Sequence, residues 1–270
     1  MSIHTIGIDI GARTAKVVLF DAQKGDVAAF RIAAIGSAPI ETARSLLEDL
    51  SRSFPADPEN NPAVITGYGR KHFPLPGRTV TEITCQGRGV HHLFPDAATV
   101  IDIGGQDSKV ISLGAGGRVE DFLMNDRCAA GTGGFLEIAA RILEVPLEKS
   151  GAFALSAPRP AEISSMCAVF AESEVIGLLA QGHPKPAILR GVCRAAARRI
   201  AGQVNQAGLR EPVVFTGGAA LNRGLIAELE RELRLTLRVP PVPQITAALG
   251  AALLAAEKGN PKKEEDHDRP

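Results

Sequence analysis

Two cysteines stand just ahead of helix-like segments, in a setting that suits metal ligands. Cys128 precedes the Gly-rich turn of "CAAGTGGFLEIAARIL", and Cys167 precedes the run "AVFAESEVIGLLAQG". A thiolate at a helix N-terminus is stabilised by the helix dipole and by free backbone N–H groups, and thiolates bind soft or borderline metals. Two cysteines in the same local setting therefore indicate one ligand held by both.

Two thiolates cannot complete a four-cysteine site for zinc or for a 4Fe–4S cluster. The missing ligands could be Cys85 and Cys193, the other two of the four cysteines, within one chain. Alternatively, a twofold axis could bring Cys128 and Cys167 of two chains together. Small residues after these two favour the second arrangement, because a cluster could lie close to the backbone there. Cys85 and Cys193 lack Gly-rich neighbours, and we interpret them as small buried side chains inside helices.

An acidic, Gly-rich turn occurs twice in the chain. "IGIDIGARTAKVVL" and "TVIDIGGQDSKVISL" both place an Asp–Ile–Gly turn after an apolar strand and a lysine at the start of the next strand. The repeat pairs three positions of each copy: Asp9 with Asp102, Gly11 with Gly104, and Lys16 with Lys109. An internal repeat of this kind predicts two similar half-domains, each directing a β-hairpin at a shared cleft.

These turns have the chemistry of a magnesium–nucleotide site. Glycines let backbone N–H groups approach a phosphate, and a third such turn, Gly217–Gly218, follows the strand "VVFT". A carboxylate cannot hold a phosphate directly, but it can hold Mg²⁺ through water. Lys16 could neutralise phosphate charge. Neither a P-loop motif nor a dinucleotide-binding fingerprint is present in the sequence.

Composition limits the classes of partner. The 270 residues contain 30 Lys and Arg and 30 Asp and Glu, so charge gives no reason to expect binding to nucleic acid or to a membrane surface. No apolar run reaches the roughly 18 residues that a membrane span needs. The start, "MSIHTIGIDIG", is expected to be a strand rather than a signal peptide. Four cysteines are too few for a disulfide scaffold, which favours the reducing cytoplasm.

The three turns resemble the phosphate-1, phosphate-2 and adenosine motifs of the acetate and sugar kinase/Hsp70/actin superfamily. The resemblance implies an α/β fold of two RNase H-like half-domains, with mixed β-sheets flanked by helices and a nucleotide cleft between them. Asp9 and Asp102 would then organise Mg²⁺ through water. The residues implied to line the phosphates are Gly11, Ala12, Arg13, Thr14, Lys16, Gly104, Gly105 and Gln106, and those implied at the nucleoside are Gly217, Gly218, Ala219 and Asn222.

We place the first half-domain at 1–95 and the second at 96–244, with both cluster cysteines in the second. A terminal helix, 245–258, is expected to pack on the first half, and the charged segment 259–270 is expected to be a disordered tail.

Hydrolysis needs a residue that orients or activates water. Glu82 is one candidate, because it lies on the predicted helix before the second acidic turn. A solvated glutamate favoured by the helix dipole is an equal alternative. Asp107, in the second turn itself, competes for the catalytic role. Tyr68, in the motif "ITGYGR", is expected to anchor a loop rather than to line the cleft.

Several motifs resemble the activator (archerase) proteins of 2-hydroxyacyl-CoA dehydratases, which belong to the BadF/BadG/BcrA/BcrD ATPase family. The resemblance extends from Ile3 to Lys258 and is carried by "ITGYGR", "TEITCQ", "IDIGGQDSKVI", "MNDRCAAGTGGFLE", "CAVFAESEVIGLLAQG", "VVFTGGAALNRG" and "TAALGAAL". It implies a homodimer bridged by one oxygen-sensitive 4Fe–4S cluster, with Cys128 and Cys167 of each chain as ligands. Hydrolysis of Mg²⁺–ATP to ADP would drive one low-potential electron, supplied by a ferredoxin or flavodoxin, onto a dehydratase-type iron–sulfur enzyme.

Three other functions remain open at this point. A small-molecule kinase of the same superfamily, of the sugar-kinase type, would leave the cysteines incidental. An ATPase component of a benzoyl-CoA reductase-like complex would share most motifs. A metal-free or zinc-bridged structural dimer would need no electron transfer.

Overall fold

The computed structural model describes residues 4–57, 59–74, 77–126, 131–164 and 168–257. The strands of the first sheet are His4–Ile10 (β1), Thr14–Asp21 (β2), Asp26–Ala34 (β3), Ala63–Thr66 (β4) and Arg78–Thr79 (β5). Their order in the sheet is β3-β2-β1-β4-β5. β1 pairs antiparallel with β2 and parallel with β4. The side chains of Ile6, Ile8 and Ile10 are fully buried, so the apolar run of β1 forms the centre of the first core.

The second sheet repeats this pairing. Its strands are Thr99–Ile103 (β6), Ser108–Leu113 (β7), Val119–Asn125 (β8) and Val213–Thr216 (β9), in the order β8-β7-β6-β9. β6 pairs antiparallel with β7 and parallel with β9. Asp9 lies opposite Lys16 in the first hairpin, as Asp102 lies opposite Lys109 in the second. The internal repeat and the α/β class with two mixed sheets are therefore confirmed.

Three turns lie where these strands end. We call residues 11–13, between β1 and β2, the first turn, and residues 104–107, between β6 and β7, the second turn. The third turn, 217–218, follows β9. The ends of β1 and β6 that carry Asp9 and Asp102 thus open directly into Gly-rich backbone.

Eight helices cover the sheets in the described part of the chain: Pro39–Ser53 (α1), Glu82–Leu93 (α2), Gly133–Ile142 (α3), Leu147–Leu155 (α4), Ala168–Ala180 (α5), Lys185–Ala207 (α6), Arg223–Leu233 (α7) and Thr246–Ala256 (α8). Short 3₁₀ turns occur at Arg70–His72, Ala115–Gly117 and Gly218–Leu221. α1 buries Ala43, Leu47 and Leu50 against the first sheet. α6 buries the face that includes Val192 and Ile200 in the second core. Among the described residues, no helix has the length and apolarity needed to cross a bilayer.

α2 lies between the two halves of the fold. Its Cys85 packs with Val64 of β4 and Ala251 of α8. Its Val90 packs with Val100 of β6 on the second sheet. α2 therefore holds its N-terminal residue, Glu82, beside strands of both sheets.

α8 packs against β1 and α2 at very short range. Thr5 of β1 donates a hydrogen bond to the carbonyl oxygen of Ala252, with the two oxygen atoms 2.8 Å apart. Glycines make this approach possible: a Cβ at Gly7 would lie 1.8 Å from the Ala248 oxygen, and one at Gly250 would lie 1.7 Å from the Cys85 oxygen. The C-terminal helix thus packs on the first sheet. The boundaries at 95 and 244 stay predictions, and the tail 259–270 lies outside the described residues.

Gly250→Ala should lower the free energy of unfolding by about 3 kcal/mol, because the added methyl overlaps the α2 backbone. Urea unfolding measures this effect. Gly202→Ala is the matched control, since Gly202 is also helical and a Cβ there would meet nothing within 4 Å. The control should be neutral or stabilising by up to about 1 kcal/mol through helix propensity. Equal stability of the two variants would contradict the close packing of α8.

Candidate functional site

The first turn is preceded by a buried ion pair. Lys16 Nζ lies 2.8 Å from Asp9 Oδ2, and Asp9 is only 2% exposed. Burial alone would lower the pKa of Lys16, but the charge of Asp9 and the hydrogen bond to it raise this pKa above its usual value. The other carboxylate oxygen, Asp9 Oδ1, is buried and has no hydrogen-bond partner among the described residues. Such an oxygen suits a water molecule held by Mg²⁺.

Asp102, the repeat partner of Asp9, is held by three elements. Its Oδ1 accepts hydrogen bonds from Gln86 Nε2 at 3.1 Å and from Thr216 Oγ1 at 2.9 Å. Gln86 Oε1 in turn accepts one from Thr246 Oγ1 at 3.0 Å. α2, β9 and α8 therefore fix this carboxylate. Gln86 is a site residue that the sequence motifs did not single out, although it lies four residues after Glu82 and so on the same face of α2.

Lys109 contacts both residues predicted for the catalytic role, Glu82 and Asp107. Its Nζ lies 3.0 Å from Glu82 Oε1, 2.7 Å from Asp107 Oδ2 and 3.7 Å from Asp102 Oδ2. Its side chain is 2% exposed. Burial would lower the pKa of Lys109, but Glu82 and the two aspartates raise it. The ammonium therefore stays charged and links the second turn to the N-terminus of α2.

Glu82 is a group of this cluster whose pKa lies near neutral pH. Burial raises the pKa of its carboxyl to about 7, while Lys109 opposes the shift and the neighbouring aspartates add to it. A carboxyl with a pKa near 7 can exchange a proton at working pH, as a general base must. The Glu82 side chain is 21% exposed and paired with Lys109, so it faces the second turn rather than bulk solvent, and its catalytic role stays a prediction.

Tyr68 crosses the cleft. It lies in the loop after β4, on the first half, and its hydroxyl donates to Asp107 Oδ2 in the second turn at 3.1 Å. This corrects our expectation of a loop anchor: the side chain contacts the opposite half. The contact depends on how the halves pack, which the local motif "TGYGR" does not encode.

Arg13 of the first turn also reaches the second half. Its side chain packs over Gly105, where a Cβ would lie 2.3 Å from Arg13 Cγ. Its guanidinium lies 3.7 Å from Glu137 of α3.

The two hairpin turns are each closed by a backbone hydrogen bond, from the Gly11 amide to the Thr14 oxygen and from the Gly104 amide to the Asp107 oxygen. Ala12 in the first turn is half-buried and Gln106 in the second turn is exposed, so both are accessible to a ligand.

The third turn lies beside the end of β6, where a Cβ at Gly217 would meet the Ile103 oxygen. The Gly217 amide donates to the Pro243 oxygen at 2.9 Å, and a Cβ at Gly218 would meet nothing within 4 Å. Asn222 caps a helix, and its expected place at the nucleoside stays a prediction. Its Oδ1 accepts from the Leu225 amide and caps α7, and its Nδ2 donates to Ser150 Oγ at 3.1 Å. An asparagine before a helix is a standard cap signal, which the sequence already contained.

The carbonyl groups of the second turn bind the N-terminus of α3. The Gly133 amide donates to the Gly104 oxygen at 2.8 Å, and the Gly134 amide donates to the Gly105 oxygen at 3.0 Å. Thr132 Oγ1 adds a contact of 3.3 Å to the Gly105 oxygen. The turn predicted to bind phosphate is thus joined by its backbone to the helix that follows Cys128.

The model of the BadF/BadG/BcrA/BcrD ATPase family matches residues 6–255. The chain belongs to this family. It is 40% identical over 260 residues to the activator of lactoyl-CoA dehydratase from Anaerotignum propionicum, covering 96% of this chain and 100% of that one. It is 32% identical to a component of benzoyl-CoA reductase from Thauera aromatica, covering 93% of each. The solved structure of the 2-hydroxyisocaproyl-CoA dehydratase activator from Clostridium difficile, with bound ADPNP, superposes with a TM-score of 0.88, at 38% identity and 94% coverage of each chain.

In this ATPase-family chain the two remaining cysteines are not ligand candidates. Cys85 and Cys193 are 0% and 2% exposed, and burial raises the pKa of each thiol to about 12. They are therefore neutral thiols, and their prediction as interior helix residues is confirmed. Cys128 and Cys167 lie outside the described residues. Among the residues that are described, no group of three or more His, Cys, Asp and Glu side chains forms a metal site.

Proposed function

We propose that this chain is an ATP-dependent one-electron-transfer activator of a 2-hydroxyacyl-CoA dehydratase-type partner. The observation that carries the proposal is the backbone junction between the second turn and α3. It joins a site with nucleotide chemistry to the helix that follows Cys128. Full-length similarity to a lactoyl-CoA dehydratase activator supports the same conclusion, and the lower identity to the benzoyl-CoA reductase component favours the activator branch.

The ATP site would use the residues of the three turns. The unpartnered Asp9 Oδ1 would hold a water of Mg²⁺, and Asp102, fixed by Gln86 and Thr216, would hold another. Lys16 would balance phosphate charge, and open space at Gly218 would admit the nucleoside. Glu82, next to Lys109, would orient the attacking water, with Asp107 as its neighbour in the second turn.

The electron carrier would be a 4Fe–4S cluster shared by a homodimer, with Cys128 and Cys167 of each chain as ligands. Such a cluster supplies a one-electron carrier of low potential. The described surroundings suit it beside Cys167, because Ala168, directly after that cysteine, begins the described part of α5, whereas the first amides of α3, which follows Cys128, are bound by the second turn. Helix N-termini stabilise an anionic group. A ferredoxin or flavodoxin would supply the electron, and the dehydratase-type iron–sulfur enzyme would accept it.

Iron and acid-labile sulfide in anaerobically purified protein test the proposal. We expect about four irons for every two chains, with an absorbance change on dithionite reduction. The reduced protein should then transfer electrons to an acceptor only while it hydrolyses ATP.

Absence of iron after anaerobic reconstitution would overturn the proposal and favour the small-molecule kinase, which needs no cluster. Stoichiometric zinc would instead favour the structural dimer.

A further inference from the structure

Tyr68 is the only tyrosine of the chain. The glycines on either side of it pack their backbone against β1. Tyr68 follows Gly67, where a Cβ would lie 2.5 Å from both Asp9 Oδ1 and the Ile10 oxygen. The next residue, Gly69, donates its amide to the Ile10 oxygen at 3.0 Å. The loop therefore packs against the end of β1 and holds Tyr68 at the mouth of the cleft.

The phenol makes little apolar contact that would explain this placement, since Tyr68 is 53% exposed. The side chain is held instead by a hydrogen bond from its hydroxyl. The hydroxyl donates to Asp107 Oδ2, the oxygen that also accepts from Lys109 Nζ at 2.7 Å. Lys109 in turn donates to Glu82 Oε1 at 3.0 Å. One chain of contacts thus runs from the loop of the first half, through the second turn, to the N-terminus of α2.

We propose that Tyr68 is a positioning residue for ATP hydrolysis: by holding Asp107 across the cleft, it keeps Lys109 against Glu82 and so sets the carboxylate that orients the attacking water. The inference rests on ATP hydrolysis at the proposed site. It does not depend on the iron–sulfur cluster.

Loss of the phenol hydroxyl has a defined consequence. Asp107 Oδ2 would keep Lys109 as its remaining donor, and the ammonium would be drawn toward Asp107 and away from Glu82. Burial and the charges of Asp9, Asp102 and Asp107 raise the pKa of Glu82, and the positive charge of Lys109 opposes them, so a weaker contact with Lys109 raises that pKa above its value of about 7. A base must be ionised to act, so activity at neutral pH falls, and more alkaline pH restores part of it.

Tyr68→Phe tests this, because it removes only the hydroxyl. At pH 7 we expect kcat for ATP hydrolysis to fall by about 2- to 5-fold, as the ionised fraction of Glu82 falls, with the KM for ATP changed by less than about 2-fold. The acid limb of the pH profile should move upward by about half a unit or more. A purely structural defect would lower kcat at every pH and leave the limb in place.

A double-mutant cycle supplies the control. If Tyr68 acts through Asp107, adding Tyr68→Phe to Asp107→Asn should lower kcat no further. Additive losses, or a Tyr68→Phe variant with the wild-type kcat and pH profile, would overturn the inference.

The hydrogen bond itself can be observed in the unmodified protein. The chain has one tyrosine and no tryptophan, so its tyrosine emission comes from Tyr68 alone. A hydrogen bond to a carboxylate quenches tyrosine emission, and Asp107→Asn should therefore increase it. Unchanged emission would contradict the contact.

The two proposals fail on different results. Normal ATP hydrolysis without iron would overturn only the activator proposal, whereas a chain that does not hydrolyse Mg²⁺–ATP would overturn the activator proposal and the role of Tyr68.

Discussion

Chains that carry Cys128→Ala or Cys167→Ala, purified without oxygen, should contain no iron and no acid-labile sulfide. In a twofold-symmetric site one substitution removes two of the four thiolates at once, which leaves too few ligands for a 4Fe–4S cluster. The loss is therefore expected to be complete rather than partial. Metal analysis and the visible spectrum measure it, with ATP hydrolysis as a check that the fold is intact.

Cys85→Ala and Cys193→Ala are the matched controls. Both thiols are buried inside helices, α2 and α6, so each substitution removes one small side-chain atom from the core. We expect each to keep its iron while losing about 1 kcal/mol of stability. Iron retained in Cys128→Ala, or lost from a folded Cys85→Ala, would reject the assignment of the ligands.

Glu82→Gln should lower kcat for ATP hydrolysis by about 10² to 10³-fold while ATP binding is kept. The amide has the shape of the carboxylate, but it cannot accept a proton from water. The pKa of about 7 gives the pH dependence: hydrolysis by the unmodified protein should rise as Glu82 ionises, be half-maximal near pH 7 and level off above about pH 8. The variant should lack this rise. Steady-state kinetics across pH, with nucleotide binding measured separately, test both parts.

Glu41→Gln is the matched control, because Glu41 occupies the first turn of α1 and is exposed. Its kcat and pH profile should equal those of the unmodified chain. If Asp107→Asn abolishes hydrolysis while Glu82→Gln preserves it, Asp107 is the water-positioning residue instead.

The parts of the site that the sequence predicts are those set by local patterns. Asp9 and Lys16 lie seven positions apart on two strands joined by a short turn, and the hairpin places them opposite each other. The same spacing places Asp102 opposite Lys109. Hairpin geometry needs no knowledge of the rest of the fold.

The contacts that complete the site depend on packing between elements distant in sequence. Glu82 meets Lys109 only because α2 lies between the two sheets, and Tyr68 meets Asp107 only because a loop crosses from one half to the other. No local spacing encodes either distance. The capping role of Asn222 is the opposite case, because an asparagine directly before α7 is a local signal that needs no knowledge of distant packing.

The junction between the second turn and α3 has a thermodynamic consequence. A peptide group is planar, so the N–H groups of Gly105 and Gln106, which would face a phosphate in the proposed ATP site, cannot rotate without moving the carbonyls of Gly104 and Gly105 that bind Gly133 and Gly134. Occupancy of the turn and the position of α3 are therefore linked equilibria, and such linkage is reciprocal. Whatever holds α3 in one position, including a second chain docked beside it, must change the affinity for nucleotide by the same factor by which nucleotide changes the affinity for that partner.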